Sequence, residues 1–337
     1  MRIAIVKLSA LGDIVHAMVV LQFIKKFNKE ISIDWIVEDS YKDMLEFNPY
    51  INKVYLINIK HARKKKSLLA LIKEFKKILK LPNYDLVIDM QGLIKSALIS
   101  KLIPSKQTLG FDKFSSREGL AAFFYNKVFN YGYDKNVIER NVSLIEFALG
   151  LDVNKLEIIN KEAFLFSSQE YLIIGLSNKK KNILLIPGAS HLSKCYPISN
   201  FAQITNLIDA NFFIIWGNKN EKILAEKIKA ISPSVNICDK LSIDSLISVI
   251  SQMSLVIGPD TGPAHMAWAL NIPSITLFGP TPGRRNTYIT KKNKIIESNS
   301  KVNPYKIDKN DVSISNISAE RVARLARQLM TQKINKY

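Results

Sequence analysis

The sequence predicts an α/β fold of two tandem Rossmann-like domains, each a parallel sheet covered on both faces by helices. Three observations lead there. Short, almost wholly apolar runs alternate with helical stretches in the first half. The same alternation begins again near residue 182. The chain has 337 residues, more than one domain usually holds. Continuously apolar strands, rather than alternating ones, are what a sheet buried on both faces requires.

RIAIVK (2–7) reads as the first strand, followed by a glycine-containing turn and a helix over 13–27. ISIDWIV (31–37), KVYLI (53–57) and YDLVIDM (84–90) are further strands, and a lysine-rich amphipathic helix over 66–79 separates the last two. In the second half NILLIP (182–187), FFIIWG (212–217), LVIG (255–258) and SITLFG (274–279) repeat the pattern, each ending in a turn. These elements divide the chain into a first domain over 1–166, a polar linker over 167–182 and a second domain over 183–317. A last helix, over 318–337 with Ser318 as N-cap, is expected to pack back across the first domain. Tandem domains of this kind imply a cleft between them, and their ligands bind on loops beyond the carboxyl ends of the strands.

Composition narrows the class. Hydrophobic residues make up 47% of the chain, ample for two cores, and no run approaches the roughly eighteen apolar residues of a membrane span. The opening MRIAIVKLSALGD is broken by Lys7 and runs straight into a motif, unlike a secretory signal, so a cytoplasmic protein is expected. Cys195 and Cys238 have neither disulfide-framework nor zinc-ligand spacing. The net charge of +19 is uneven: residues 51–110 hold thirteen Lys/Arg against three Asp/Glu. A solvated lysine-rich face explains part of this. A patch that attracts polyanions (nucleic acid, anionic headgroups or a phosphorylated, carboxylated glycolipid) explains the clustering. Arg63 and Lys64, just past the third strand, are expected to flank the first domain's side of the cleft.

The motifs follow strand ends. Ser9-Ala10-Leu11-Gly12-Asp13-Ile14-Val15-His16 leaves the first strand, and Asp13 is either a helix N-cap or a carboxylate facing the cleft. One glycine is not GxGxxG, which speaks against a dinucleotide oxidoreductase. Gly258-Pro259-Asp260-Thr261-Gly262-Pro263-Ala264-His265 is the strongest local signal. Its free N–H groups at a helix start would receive a diphosphate, whereas a capped turn explains Asp260 or Thr261 but not both with His265. After the second domain's first strand, Gly188-Ala189-Ser190 leads to Lys194, which would neutralise a leaving phosphate or is one more surface lysine. Trp216-Gly217-Asn218-Lys219-Asn220-Glu221 puts a carboxylate where ribose hydroxyls bind, or simply at a helix start. Thr281-Pro282, with Arg284 and Arg285 beyond, closes another strand.

In their order, SALGDIVHA, DMQGLIKSALIS (89–100), ERN (139–141), IPGASHLSKCYP (186–197), IIWGNKNE (214–221), GPDTGPAHMAWAL (258–270) and LFGPTP (277–282) resemble the ADP-heptose-using heptosyltransferases of lipopolysaccharide core assembly. The resemblance spans nearly the whole chain. It implies GT-B architecture, two Rossmann-like domains facing across a cleft, and inverting transfer of heptose from ADP-heptose. His16 and DMQGLIKSA look more like the members that add the first heptose, to Kdo of Kdo-lipid A, than those that add the second. It further implies Asp13 as general base, Lys194 at the donor phosphate, and Asp260, Thr261, Gly262 and His265 in the donor loop. Glu221 matches the ribose-binding carboxylate, and Ser9, Ala10, Gly12, Lys95, Ser96 and Arg117 lie on the acceptor side. Tyr196 stands where the family more often has tryptophan, and stacking on the donor is expected to survive. With no DxD-like acidic cluster beside the donor motif, neither metal nor cofactor is expected. The expected partners are ADP-heptose, Kdo-lipid A and the cytoplasmic face of the inner membrane, touched peripherally. Rival readings are a second-heptose transferase and a basic nucleic-acid-binding protein. The latter shows no RRM, KH or helix-turn-helix signature.

Overall fold

The apolar runs become parallel strands because nearly all their residues are buried, the run 53–57 excepted. A computed structural model describes residues 1–59 and 67–331, which fall into two units, Met1–Phe164 and Leu165–Tyr337. The first unit's strands are β1 (Arg2–Val6), β2 (Ser32–Glu38), β3 (Lys53–Ile57), β4 (Leu86–Asp89), β5 (Thr108–Phe111) and β6 (Lys127–Phe129). Its helices are α1 (Leu11–Met18), α2 (Val20–Phe27), α3 (Leu68–Leu79), α4 (Ile94–Leu102), α5 (Val137–Leu149) and α6 (Lys155–Ile159). The single helix expected over 13–27 is thus two, divided at Val19.

The second unit holds β7 (Asn182–Leu185), β8 (Asn211–Ile214), β9 (Asn236–Ile237), β10 (Leu255–Pro259), β11 (Ser274–Phe278) and β12 (Asn293–Glu297). Between and after them come α7 (Ile198–Leu207), α8 (Lys219–Ile231), α9 (Ile243–Ser251), α10 (Gly262–Ala269), α11 (Gly283–Asn286) and α12 (Ala319–Thr331).

The sheet orders are β3-β2-β1-β4-β5-β6 and β12-β11-β10-β7-β8-β9, with every pairing parallel. Counted within its own unit, each sheet therefore reads 3-2-1-4-5-6. The chain reverses direction across the sheet between the first strand and the fourth, and the loops leaving those two strands frame a crevice for ligands.

Two expectations about the second unit are corrected. Residues 167–182 are not a free linker: Ser168 Oγ donates to Asp244 at 2.6 Å, and the Tyr171 amide donates to Ser248 Oγ at 2.7 Å, tying the segment to α9. Helix α12 packs its apolar face within the second unit. Val322, Ala323, Ala326 and Leu329 lie in the second unit's core with Phe201 and Ile204 of α7. The reason is the spacing of these residues, which makes a stripe along one side of α12 that fits α7 and the sheet. Ser318 does cap it, accepting from the Arg321 amide at 3.3 Å.

Candidate active site

In the first unit the loops after β1 and β4 meet at the reversal point. The Gln91 side-chain oxygen accepts from the amides of Leu8 (2.9 Å) and Ser9 (3.2 Å), so the second loop fixes the first. Beneath Gln91, the buried Asp89 carboxylate accepts from the amides of Gln91 (2.7 Å) and Gly92 (3.2 Å) and from the Tyr125 hydroxyl (2.7 Å). Burial pushes the Asp89 carboxyl up despite these bonds. Asp89 is the foundation of the loop.

Asp13 occupies the third position of α1 and is exposed, with Ala10 at the N-cap. Its Oδ2 accepts from the Ala10 amide at 3.2 Å, which pins the carboxylate to the helix start while leaving it open to solvent. The N-cap reading of Asp13 is therefore replaced by a third-position one. Ser9 and Gly12 are half-buried and Ala10 exposed on the same loop. Lys95, early in α4, forms an ion pair with Glu38 at the end of β2. Arg117 is exposed, and the neighbouring Glu118 carboxylate accepts from the Ile94 amide at 2.8 Å, docking that loop on the start of α4.

Ser96 needs correction as an acceptor contact. It is wholly buried, and its hydroxyl accepts from the Leu93 amide (3.2 Å) and donates to the Leu93 carbonyl (2.9 Å), so it shapes the turn into α4. His16 likewise is buried within α1. Arg63 and Lys64 lie outside the described residues. Sequence reasoning passed over Gln91, Glu38 and Tyr41. The Tyr41 hydroxyl is pushed up, chiefly by burial and then by the negative charges of Glu38 and Asp13.

The second unit builds its site on the equivalent loops, after β7 and β10. Asp260 is buried and collects four partners. Its Oδ2 takes Lys194 Nζ (3.0 Å), Thr281 Oγ1 (2.9 Å) and Asn286 Nδ2 (3.2 Å), and its Oδ1 lies 2.9 Å from His265 Nε2. Burial alone would raise this carboxyl. The Lys194 charge and the His265 contact outweigh it and hold the group well below the usual carboxylate range. Asp260 is thus the pivot that aims Lys194. An ammonium has three N–H bonds, so pairing with Asp260 leaves donors for an anion.

Thr261 sits at the N-cap of α10 but makes no side-chain cap, its hydroxyl donating to the Pro259 carbonyl at 3.2 Å. Gly262 opens the helix and Pro263 follows. Pro263 has no N–H and the His265 amide donates to the Thr261 carbonyl at 3.2 Å, so the Gly262 and Ala264 amides are the ones that could meet a ligand, where the helix dipole favours negative charge. Neither Asp260 nor Thr261 is the simple cap that the plainer reading offered.

Beside this, a cavity of about 570 Å³ is lined by the loop after β7 (Gly188, Ser190, His191) and the start of α8 (Asn218, Glu221). The Glu221 carboxylate accepts from the Gly217 amide (2.6 Å) and from Asn218 Nδ2 (2.7 Å), while Asn218 Oδ1 accepts from the Glu221 amide (3.1 Å). Glu221 thus stands in the first turn of the helix, which Asn218 caps, and also lines the cavity. Gly188 makes this possible, since a Cβ there would lie 2.4 Å from Glu221 Cγ. Gly188→Ala should push the carboxylate out of place and, where the cavity receives the ADP that the resemblance implies, weaken its binding about tenfold, the loss of one charge-assisted contact. Titration calorimetry against ADP checks it, and unchanged affinity would remove Glu221 from the donor site.

The aromatic at Tyr196 is corrected too. The ring is buried against Phe201 at a centroid distance of 5.2 Å, and its hydroxyl donates to the Ile317 carbonyl at 2.7 Å. It offers no face for stacking on a ligand. Thr281 was legible as part of a motif but not as a partner of Asp260, and nothing in the sequence marked Asn286.

Two Rossmann-like halves with crevices at matching points, one carrying an exposed carboxylate and the other a lysine and an open helix start, define a GT-B fold suited to a nucleotide-linked substrate. The chain belongs to glycosyltransferase family 9 (heptosyltransferase), whose model matches residues 72–312. It is 41% identical to lipopolysaccharide heptosyltransferase 1 of Campylobacter coli, over 98% of this chain and 99% of the relative. It is 28% identical to lipopolysaccharide heptosyltransferase 1 of Escherichia coli K12, over 84% and 89%. Among solved structures, the E. coli heptosyltransferase WaaC with ADP is similar in fold, with a TM-score of 0.80 at 23% identity, covering 98% of this chain and all of that one.

Proposed function

We propose that the chain transfers L-glycero-D-manno-heptose from ADP-heptose to Kdo of Kdo-lipid A, with inversion and without a metal. The observation that carries this is the Lys194–Asp260–His265 arrangement at the uncapped start of α10, which suits a diphosphate and its developing charge. The name of the 41%-identical relative supports the choice of first-heptose transfer. In WaaC a related fold holds ADP and ADP-2-deoxy-2-fluoro heptose.

Breaking the anomeric C–O bond leaves positive charge on the sugar and negative charge on ADP. Lys194 and the α10 amides stabilise the latter, the role a metal would otherwise fill. Asp13 accepts the proton of the attacking Kdo hydroxyl as the new C–O bond forms. A single displacement inverts the anomeric carbon. Glu221 holds the ribose hydroxyls, and Lys95 and Arg117 face the anionic acceptor. The enzyme works at the cytoplasmic face of the inner membrane, and no described helix is long and apolar enough to cross it.

The test is mass spectrometry of products from ADP-heptose and Kdo-lipid A, with the heptosylated acceptor as control. Added mass on Kdo-lipid A alone is expected, undiminished by EDTA. Extension of the heptosylated control alone would assign the second transfer instead, and activity lost to EDTA and restored by magnesium would overturn the metal-free mechanism.

A further inference from the structure

The segment between β5 and β6 carries three large apolar side chains that the fold leaves in water: Phe114, Leu120 and Phe123 are 71%, 62% and 78% exposed. They are not scattered. Gly119–Phe124 is a 3₁₀ helix, in which residues three apart share a face. Leu120 and Phe123 therefore look outward together, while Ala121 and Phe124 pack with Ala97 and Tyr125 beneath. Phe114 joins them because the turn that carries it is pressed on the helix start: a Cβ on Gly119 would lie 2.7 Å from the Lys113 carbonyl oxygen.

The segment is built firmly. Asp112 accepts from the amides of Phe114 (3.1 Å) and Ser115 (2.8 Å) and from Asn130 Nδ2 (2.7 Å), and Arg140 donates to the Ser115 carbonyl at 2.8 Å. Asp112 is half-buried and held by these bonds, and Glu118, though exposed, accepts from the Ile94 amide; Lys113 and Arg117 are exposed beside the ridge. Lys113 lies over the Phe114 ring, its Nζ 4.7 Å from the centroid. The outcome is a rigid apolar ridge rimmed by cations. It follows β5, so it stands at the same carboxyl end of the sheet as Asp13. On the other side of that end, the first turn of α3, two strands from β1, exposes Leu68 and Leu69 ahead of Lys73 and Lys76.

We propose that this end of the first unit docks on an anionic phospholipid surface, with Phe114, Leu120 and Phe123 entering the headgroup–acyl boundary and Lys113 and Arg117 meeting the phosphates. Apolar side chains beside Lys and Arg match such a surface in both charge and polarity. The inference rests on the proposed function for its setting, because an acceptor buried by its lipid must be met at the membrane.

The experiment sediments the full chain with vesicles of phosphatidylglycerol and phosphatidylcholine, against phosphatidylcholine alone. Wild type should bind the anionic vesicles, less so at high salt. Phe114→Ser with Phe123→Ser should weaken that binding by about tenfold or more, with an unchanged melting curve and unchanged transfer to a deacylated, water-soluble acceptor. In a second variant, Phe114→Trp, indole fluorescence should shift to the blue when anionic vesicles are added. Equal vesicle binding by the double variant, or an unshifted indole, overturns the proposal. So does a concentration-dependent dimer abolished by the double substitution, which would give the ridge to a second copy of the chain. Vesicle binding without transfer to either acceptor would sink the proposed function and leave the surface standing, while transfer without vesicle binding does the reverse.

Discussion

Asp13→Asn should bind ADP as wild type does and transfer heptose at least about a hundredfold more slowly. The amide is nearly isosteric with the carboxylate and keeps an oxygen that can accept from the Ala10 amide, so the turn into α1 survives. What it loses is the capacity to accept a proton. Nothing in the second unit's site is touched, which predicts a split: kcat falls while the dissociation constant for ADP holds. Calorimetry and a coupled ADP-release assay measure the two separately. Near wild-type turnover would place the base elsewhere, with the neighbouring Glu38 carboxylate next to be tried. Weakened ADP binding would instead show that the substitution disturbs more than the reacting proton.

Asp260→Asn should do the opposite, striking stability and nucleotide affinity together. Lys194 and Asp260 are 12% and 8% exposed, so removing the anion strands a largely buried cation. Breaking such a pair from one side costs about 3–5 kcal/mol, and the melting temperature of a domain this size falls by about 2–4 °C per kcal/mol. The Asp260 carboxyl has a lower pKa in the fold than in the unfolded chain, where it is about 3.9. Its stabilisation is therefore complete above that value and fades as pH falls toward the folded one. The stability gap between wild type and variant should be constant from neutral pH down to about pH 5, and narrow below about pH 4. Lys194→Met in the Asp260→Asn background should recover part of the loss, a coupling that a double-mutant cycle reads directly. If Asp260→Asn melts with wild type at pH 7, the pivot is no pivot.

These two carboxylates also show where sequence reading succeeds and stops. Both were legible as motif residues after strand ends, because a β-strand, a turn and a helix start leave a local pattern. Eight strands were legible for the same reason: all but the edge strand β3 are buried on both faces and apolar nearly throughout. β5, β6, β9 and β12 were not. They are short or stand toward sheet edges, and runs such as Lys127–Phe129 and Asn236–Ile237 carry too few residues for any period. Roles that depend on distant partners were hidden too. Asp260 and Asn286 are twenty-six positions apart, and Tyr196 and Ile317 one hundred and twenty-one. Ser96 and Tyr196 stood in the right motifs, yet the fold turned both inward, because a motif records proximity along the chain and not which way a side chain points.

Helix α12 gives the halves of the molecule different histories during synthesis. The first sheet has its last strand once Phe129 is made, and α6 ends at Ile159. The second sheet has its last strand at Glu297, yet the core beside α7 still lacks Val322, Ala326 and Leu329. Domains form as units in the order they leave the ribosome. A nascent chain that has reached Glu297 therefore carries a first unit with all its core residues and a second whose sheet is bare where α12 will lie. The half bearing Asp13 therefore has its whole core before the half bearing Lys194 does.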